Sequence, residues 1–309
     1  MSTPEDVIFG VDGNDGIDDV PRLLRLAEQA DRDGLDIVSL SDHPYIGGRL
    51  DAYAAVGFIL GRTRHISGVV NVTNVPLRPA PMLARTVTSL SALSSGRIVL
   101  GIGAGGMWDR IEDMGVVRLS PGDAVNAFEE AIGVIKMLSG GGPPITYEGR
   151  YCHLHQIEPA PVAAPPVWTG SVGPKSLAAT GRVADGWIPG RAADWLSGRY
   201  RTSRPIIDDA ARAVGRDPRE IRTVFNLPGR ITDRPLAATR DRDGRWVGGS
   251  VDQWIEELTG AVIEHDASGF ILFSPSGGAP DDISLGRWAG EIAPAVRDTT
   301  ARGNPRSPR

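Results

Sequence analysis

About eight short apolar runs alternate along this chain with longer segments whose apolar residues recur at helical spacing. A short run of branched aliphatic residues between turn signals reads as a buried strand, and the intervening segments read as amphipathic helices. Strict alternation of the two forces a parallel sheet, because each helix must carry the chain back to the same end through a right-handed crossover. Such a sheet is either open and doubly wound or closed. Eight repeats over 309 residues favour closure into a (β/α)8 TIM barrel.

In chain order the expected strands are 7–11, 36–40, 66–72, 98–102, 167–169, 185–187, 221–225 and 270–273. The first expected helix is capped by Asp18 or Asp19 and carries Leu23, Leu24, Leu26, Ala27 and Ala30 at helical spacing. The others are 53–60, 79–93, 121–138, 175–180 with a stop at Gly181, 192–214, 251–265 and 283–296. The rhythm breaks at 140–165, which reads as an insertion after the fourth strand-helix pair: a β-hairpin around Glu148-Gly149 and an extended Pro-rich return. The charged, Gly-containing stretch 236–249 reads as a mobile loop. The whole is expected to be one barrel domain over residues 1–299, with 300–309 a disordered polar tail.

A formal net charge of -5 lacks the basic field that a nucleic-acid binder needs. The lone Cys152 excludes an internal disulfide and a cysteine-rich metal site, and suits a reducing compartment. The N-terminus carries acids where a signal peptide carries bases, and no apolar run is long enough to cross a bilayer, so a cytoplasmic protein is expected. Walker A, HExxH and CxxC patterns are absent. His153 and His155 share one face of the hairpin, but with Glu148 alone beside them no metal site is expected. Gly101, Gly103 and Gly105 do not make a dinucleotide fingerprint: the spacing is wrong and no helix is expected directly after them.

Ligands of parallel α/β sheets bind at the C-terminal ends of the strands. The strand-end loops 41–45, 71–76, 103–108 and 170–175 would therefore face one crevice. In the last of these, Gly173 permits close backbone approach and Pro174 suits the first helical position. The unpaired N–H groups of that helix start, with Lys175 and Ser176, would hold a phosphate or carboxylate. The other reading is an ordinary strand-to-helix turn with no ligand.

Four patterns in fixed order carry a more specific resemblance: GLDIVSLSDH at 34–43, VTNVPLRPAPMLARTVTSLSALSSGRIVLGIGAGG at 72–106, ITYEGRYCHL at 145–154 and PVWTGSVGPKSLAATGRVADGW at 166–187. Together they resemble the luciferase-like monooxygenase superfamily, and within it the branch of oxidoreductases that use the deazaflavin coenzyme F420. The resemblance runs from about Val7 to Gly190 and is weak beyond, where 225–249 looks shorter than is usual for the family.

The resemblance implies a (β/α)8 barrel with an insertion and an F420-dependent hydride transfer to or from a small organic substrate. It implies that Asp42 and His43 lie beside the deazaflavin, with His43 the proton donor or the group that stabilises the reduced ring, a task that suits histidine because an unperturbed imidazole titrates near neutrality. It also implies a non-proline cis peptide at Asn71-Val72 pressing on the ring, and backbone of Gly103, Ala104 and Gly105 close to the cofactor. Gly173, Pro174, Lys175 and Ser176 would hold the phosphate of the cofactor's tail. Tyr45, Met107, Trp108 and Trp187 are candidates to line the substrate pocket, whereas Arg78 and Arg97 read as structural. Gly106 departs from the pattern, since relatives that oxidise a sugar phosphate carry a glutamate there. Two other readings stay open: an FMN-dependent monooxygenase using dioxygen, and a barrel that binds a flavin without turnover. By resemblance the chain would pair as a homodimer through barrel helices.

Overall fold

In the computed structural model, which describes residues 7–13 and 16–303, eight parallel strands close on themselves. They are Ile8–Asp12, Ile37–Leu40, Ser67–Val70, Ile98–Gly103, Val167–Thr169, Gly186–Trp187, Arg222–Pro228 and Gly269–Phe273. Each pairs with its neighbours in sequence order, and the ring is sealed where Ile8–Asp12 meets Gly269–Phe273 in the register Ile8↔Gly269 to Val11↔Leu272. The chain is a (β/α)8 barrel.

Period-two alternation sorts the strand residues into two layers. Phe9, Val11, Val38, Leu40, Leu100, Phe225 and Phe270 face the surrounding helices in the large core. Ile8, Ile37, Val69, Val99, Trp168, Ile188, Val224 and Ile271 form a separate inner cluster, one from each strand or its immediate continuation. Burying one such aliphatic side chain contributes roughly 1.5–3 kcal/mol. The inner ring fills the barrel, so a ligand can enter only above it, at the strand ends.

The helix boundaries follow local chemistry. Ser250 and Gln253 make a reciprocal capping box that starts Val251–His265 where expected. Ser120 caps Pro121–Met137 by accepting from Asp123 N–H, with Pro121 at the first position. Arg97 is structural, donating to the carbonyls of Leu60, Ile66 and Ser94 and to the Thr63 hydroxyl at 2.8–3.1 Å. Strands Ile145–Glu148 and His153–Ile157 pair antiparallel outside the barrel sheet. Among the described residues no helix is long and apolar enough to cross a membrane.

Several expectations need correction. Asp19 occupies the N-cap of Val20–Arg32 but makes no side-chain cap. The third strand ends at Val70 and pairing resumes at Thr73–Asn74 against Ile102 and Gly103, while the Asn71-Val72 peptide between them is cis, as expected. Gly181 does not stop its helix, which runs Pro174–Val183. A Cβ there would lie 2.2 Å from the Ile207 carbonyl oxygen, so this glycine is where helix Gly198–Ala213 packs closest. The 192–214 helix begins only at Gly198, after Asp194 and Ser197 shape a turn.

The 236–249 loop is tied down. Arg240 pairs with Asp194 at 2.6 Å and with Glu257, Trp246 is 5% exposed, and Gly248–Ser250 pairs with Arg230–Thr232. A short helix, Trp108–Asp113, follows the 101–106 glycines closely, although the sequence gives no periodic sign of it. The last helical region runs from Asp282 through a π-turn at Trp288–Ile292 to Gly303, so residues 300–303 belong to a helix. Residues 304–309 lie outside the described residues.

Candidate functional site

Above the apolar ring the barrel interior turns polar. Asp12 and Ser39, partners in the first two strands, share a 2.8 Å hydrogen bond and are 7% and 0% exposed. Across the barrel, Asn71 Nδ2 donates to Asn226 Oδ1 at 2.9 Å. These four side chains form the floor of the mouth. Of them only Asn71 is legible in advance, because the others show themselves only once each strand's inward face is known.

Val72, next to Asn71, packs on the inner apolar cluster. A Cβ added at Gly103 would sit 3.0 Å from Val72 Cγ2, and one added at Gly170 would sit 2.9 Å from it. Glycine on either flank thus leaves one aliphatic wedge between two stretches of bare backbone. The same economy holds at Gly105, whose φ of +99° suits glycine and whose Cβ would meet the Pro76 ring at 2.9 Å and Trp108 at 3.3 Å. Ala104 packs against the outer core, so only its backbone is available to the mouth. Through these contacts three loops, 71–76, 103–108 and the start of 170–175, meet at one place.

The fourth loop joins through Tyr45. His43 Nδ1 lies 2.7 Å from Tyr45 Oη, and that hydroxyl is 3.5 Å from Met107 Sδ. Burial first, and then the Asp42 carboxylate, push the Tyr45 phenol above its ordinary range, so it stays protonated at neutral pH. Met107 is 58% exposed at the rim and Trp108 is half-buried behind Gly105.

Asp42 has a different place from the one expected. Its carboxylate is 1% exposed and accepts from Arg78 Nη2 at 2.7 Å, Arg78 Nε at 2.9 Å and Asn74 N–H at 2.9 Å. Arg78 reaches on to Asp51, the N-cap of Ala52–Arg62, and its guanidinium lies 4.8 Å over the Tyr53 ring. The Asp42 side chain is therefore taken up in bracing the loop that carries His43. Asn74 Oδ1, in the segment paired with Gly103, is buried with no hydrogen-bond partner.

On the opposite flank, Ser176 Oγ accepts from Gly173 N–H at 3.2 Å and donates to Gly173 C=O at 3.0 Å. It caps the turn itself. The N–H groups of Lys175 and Ser176 belong to the first turn of Pro174–Val183, where no intrahelical acceptor exists. The exposed Lys175 ammonium lies by Gly122, near Asp123. Trp187 is not a pocket wall: it is 1% exposed, stacked on Tyr200 with ring centroids 5.8 Å apart, outside the barrel interior. Its Nε1 donates to the Ser171 carbonyl at 2.9 Å, and Thr180 donates to Ser171 Oγ at 2.9 Å. Trp187 thus fixes the 170–173 turn from behind.

The chain is similar in sequence and in fold to known proteins. Residues 7–301 match the family model described as luciferase-like monooxygenase. A phthiodiolone/phenolphthiodiolone dimycocerosates ketoreductase of Mycobacterium kansasii is 30% identical over 206 residues, 65% of this chain and 53% of that protein. An F420-dependent glucose-6-phosphate dehydrogenase of Kineococcus radiotolerans is 28% identical over 227 residues, 70% of this chain and 66% of that one. The chain thus spans about half the length of the first and about two thirds of the second. The solved F420-dependent secondary alcohol dehydrogenase in complex with an F420-acetone adduct superposes with a TM-score of 0.78 at 20% identity, covering 95% of this chain and 100% of that one, a likeness of fold.

Proposed function

The chain belongs to the luciferase-like monooxygenase family, and from that premise we propose that it is an F420-dependent oxidoreductase acting on a small alcohol or ketone at the barrel mouth. One observation carries the reading: Gly103 and Gly170 leave bare backbone on both sides of Val72, which suits a flat ring laid across the wedge. The buried Asn74 Oδ1 without a partner adds an acceptor for a ring N–H in the same region.

The residues fit the group. Gly173, Pro174 and the N–H groups of Lys175 and Ser176 would hold a phosphate at the helix start. Gly103, Gly105, Gly170 and Val72 would hold the ring. The bound coenzyme supplies a carbon that gives or takes a hydride. Arg78 and Asp42 keep the 41–45 loop in place, and His43 holds or moves a proton at the substrate oxygen.

Relatives named for F420-dependent reactions on a sugar phosphate and on a secondary alcohol, and one named a ketoreductase, support the cofactor and the carbonyl-alcohol class. Gly106, exposed and with nothing within 4 Å of a Cβ position, supplies no acid at that point and argues against a sugar phosphate.

The test is to incubate the protein with F420 and with FMN, measure each affinity, and follow oxidation of the reduced form with and without oxygen. F420 binding with oxygen-independent turnover of a ketone supports the proposal. Binding of FMN alone would make the chain a monooxygenase, and tight F420 binding without turnover across many acceptors would make it a carrier.

A further inference from the structure

Tyr45 has one hydroxyl proton and two acceptors in reach, His43 Nδ1 at 2.7 Å and Met107 Sδ at 3.5 Å. An unprotonated imidazole nitrogen is a strong acceptor, a thioether a weak one, and the shorter contact is near the ideal for a hydroxyl donor. The 41–45 loop cannot drift away from this contact freely. Asp42, next to His43, is locked to Arg78 and Asn74, and Arg49 Nη1 donates to Ser41 Oγ at 2.6 Å on the other side.

We propose that Tyr45 is a positioning residue: its hydroxyl donates to His43 Nδ1, so that the neutral imidazole carries its proton on Nε2. A neutral ring held this way is a hydrogen-bond donor. A part for this tautomer in turnover rests on the proposed function, whereas the Tyr45-His43 contact does not.

The same hydroxyl spans two loops, since Met107 belongs to the 103–108 loop and His43 to the 41–45 loop. Tyr45 therefore sets the ring's orientation as well as its tautomer. Its raised pKa agrees with a phenol that keeps its proton to give.

The test uses the full chain with isotope-labelled histidine and reads the imidazole nitrogens by NMR above the histidine titration. The His43 signal is identified among the five histidines by its loss in His43→Asn. The expected result is Nδ1 unprotonated and shifted by its hydrogen bond, Nε2 protonated, and the Nδ1 signal in Tyr45→Phe moved toward that of a solvated imidazole. A proton on Nδ1, or an Nδ1 signal unchanged in Tyr45→Phe, would overturn the proposal. Met107→Leu should leave the tautomer as it is, and a flip to Nδ1–H there would overturn it equally.

In turnover, Tyr45→Phe should lower kcat for ketone reduction about tenfold while F420 affinity stays within about twofold, the pattern of a misoriented group. Equal loss of both would count against a positioning role. Should F420 fail to bind at all, the functional reading falls while the NMR outcome still decides the Tyr45-His43 contact.

Discussion

Arg78 grips Asp42 with both arms of its fork, Nε to one oxygen at 2.9 Å and Nη2 to the other at 2.7 Å, and the carboxylate it neutralises is 1% exposed. Breaking a buried pair from one side strands the other charge, at a cost of about 3–5 kcal/mol. Arg78→Met should therefore lower the unfolding free energy by about 3 kcal/mol, read from the urea midpoint. Arg78→Lys should recover only part of it, because an ammonium cannot make the two-point contact. An unshifted midpoint in Arg78→Met would show that the pair does not hold the loop.

The glycines around Val72 give a second prediction. In Gly170→Ala the new methyl lies 2.9 Å from Val72 Cγ2, so the wedge must move. Stability should fall by about 1–3 kcal/mol, since the Val72 side chain has to give, whereas cofactor affinity should fall about tenfold as the flat flank is lost. Gly170→Ala combined with Val72→Ala relieves the clash and should restore affinity beyond the sum of the single effects. Calorimetric titration of the three variants checks this, and strictly additive losses would remove Val72 as the shared cause.

Asp31 ties the turn before the third strand, accepting from the N–H groups of Arg64, His65 and Ile66 at 3.0, 2.7 and 2.7 Å. Burial pushes its carboxyl up, but the three N–H donors outweigh that and hold it below its ordinary value. A folded pKa below the unfolded value means the stabilisation is present above about pH 4 and is lost as pH falls through the folded value. Asp31→Ala should lower stability by about 2 kcal/mol at neutral pH. The difference from the parent chain should shrink in acid. Chemical unfolding at pH 7 and pH 3 measures it, and a gap that widens on acidification would contradict the sign.

The alternation of strand and helix was legible because branched aliphatic runs such as Ile37–Leu40 and the capping pair Ser250 and Gln253 are local signals. What escaped depends on partners distant in the chain. Gly181 looks like a helix stop until Ile207 is seen pressed against it. The charged 236–249 stretch looks free until Arg240 meets Asp194 and Glu257. Trp187 ends a strand, as a pocket wall would, yet its side chain turns outward onto Tyr200. The polar floor of Asp12, Ser39 and Asn226 was hidden for the same reason, since which face of a strand points inward is decided by closure of the ring. At the mouth, the loops could be named from strand ends alone, but the bracing of Asp42 by Arg78 could not.

His43 supplies the last prediction. Its ring is anchored at Nδ1 by Tyr45 and sits in a loop braced by Asp42 and Arg78, so its removal deletes one polar group without loosening the scaffold. A group that handles a proton at the substrate oxygen contributes roughly 10²- to 10⁴-fold to turnover. A group that only touches the cofactor contributes to ground-state binding and to turnover alike. His43→Ala should therefore cut kcat by at least about a hundredfold while the dissociation constant for F420 changes about threefold or less. Steady-state kinetics with a ketone and fluorescence titration with the oxidised coenzyme separate the two quantities. Parallel losses in both would make His43 a binding residue and pass the proton's handling to the solvent at the open rim beside Met107.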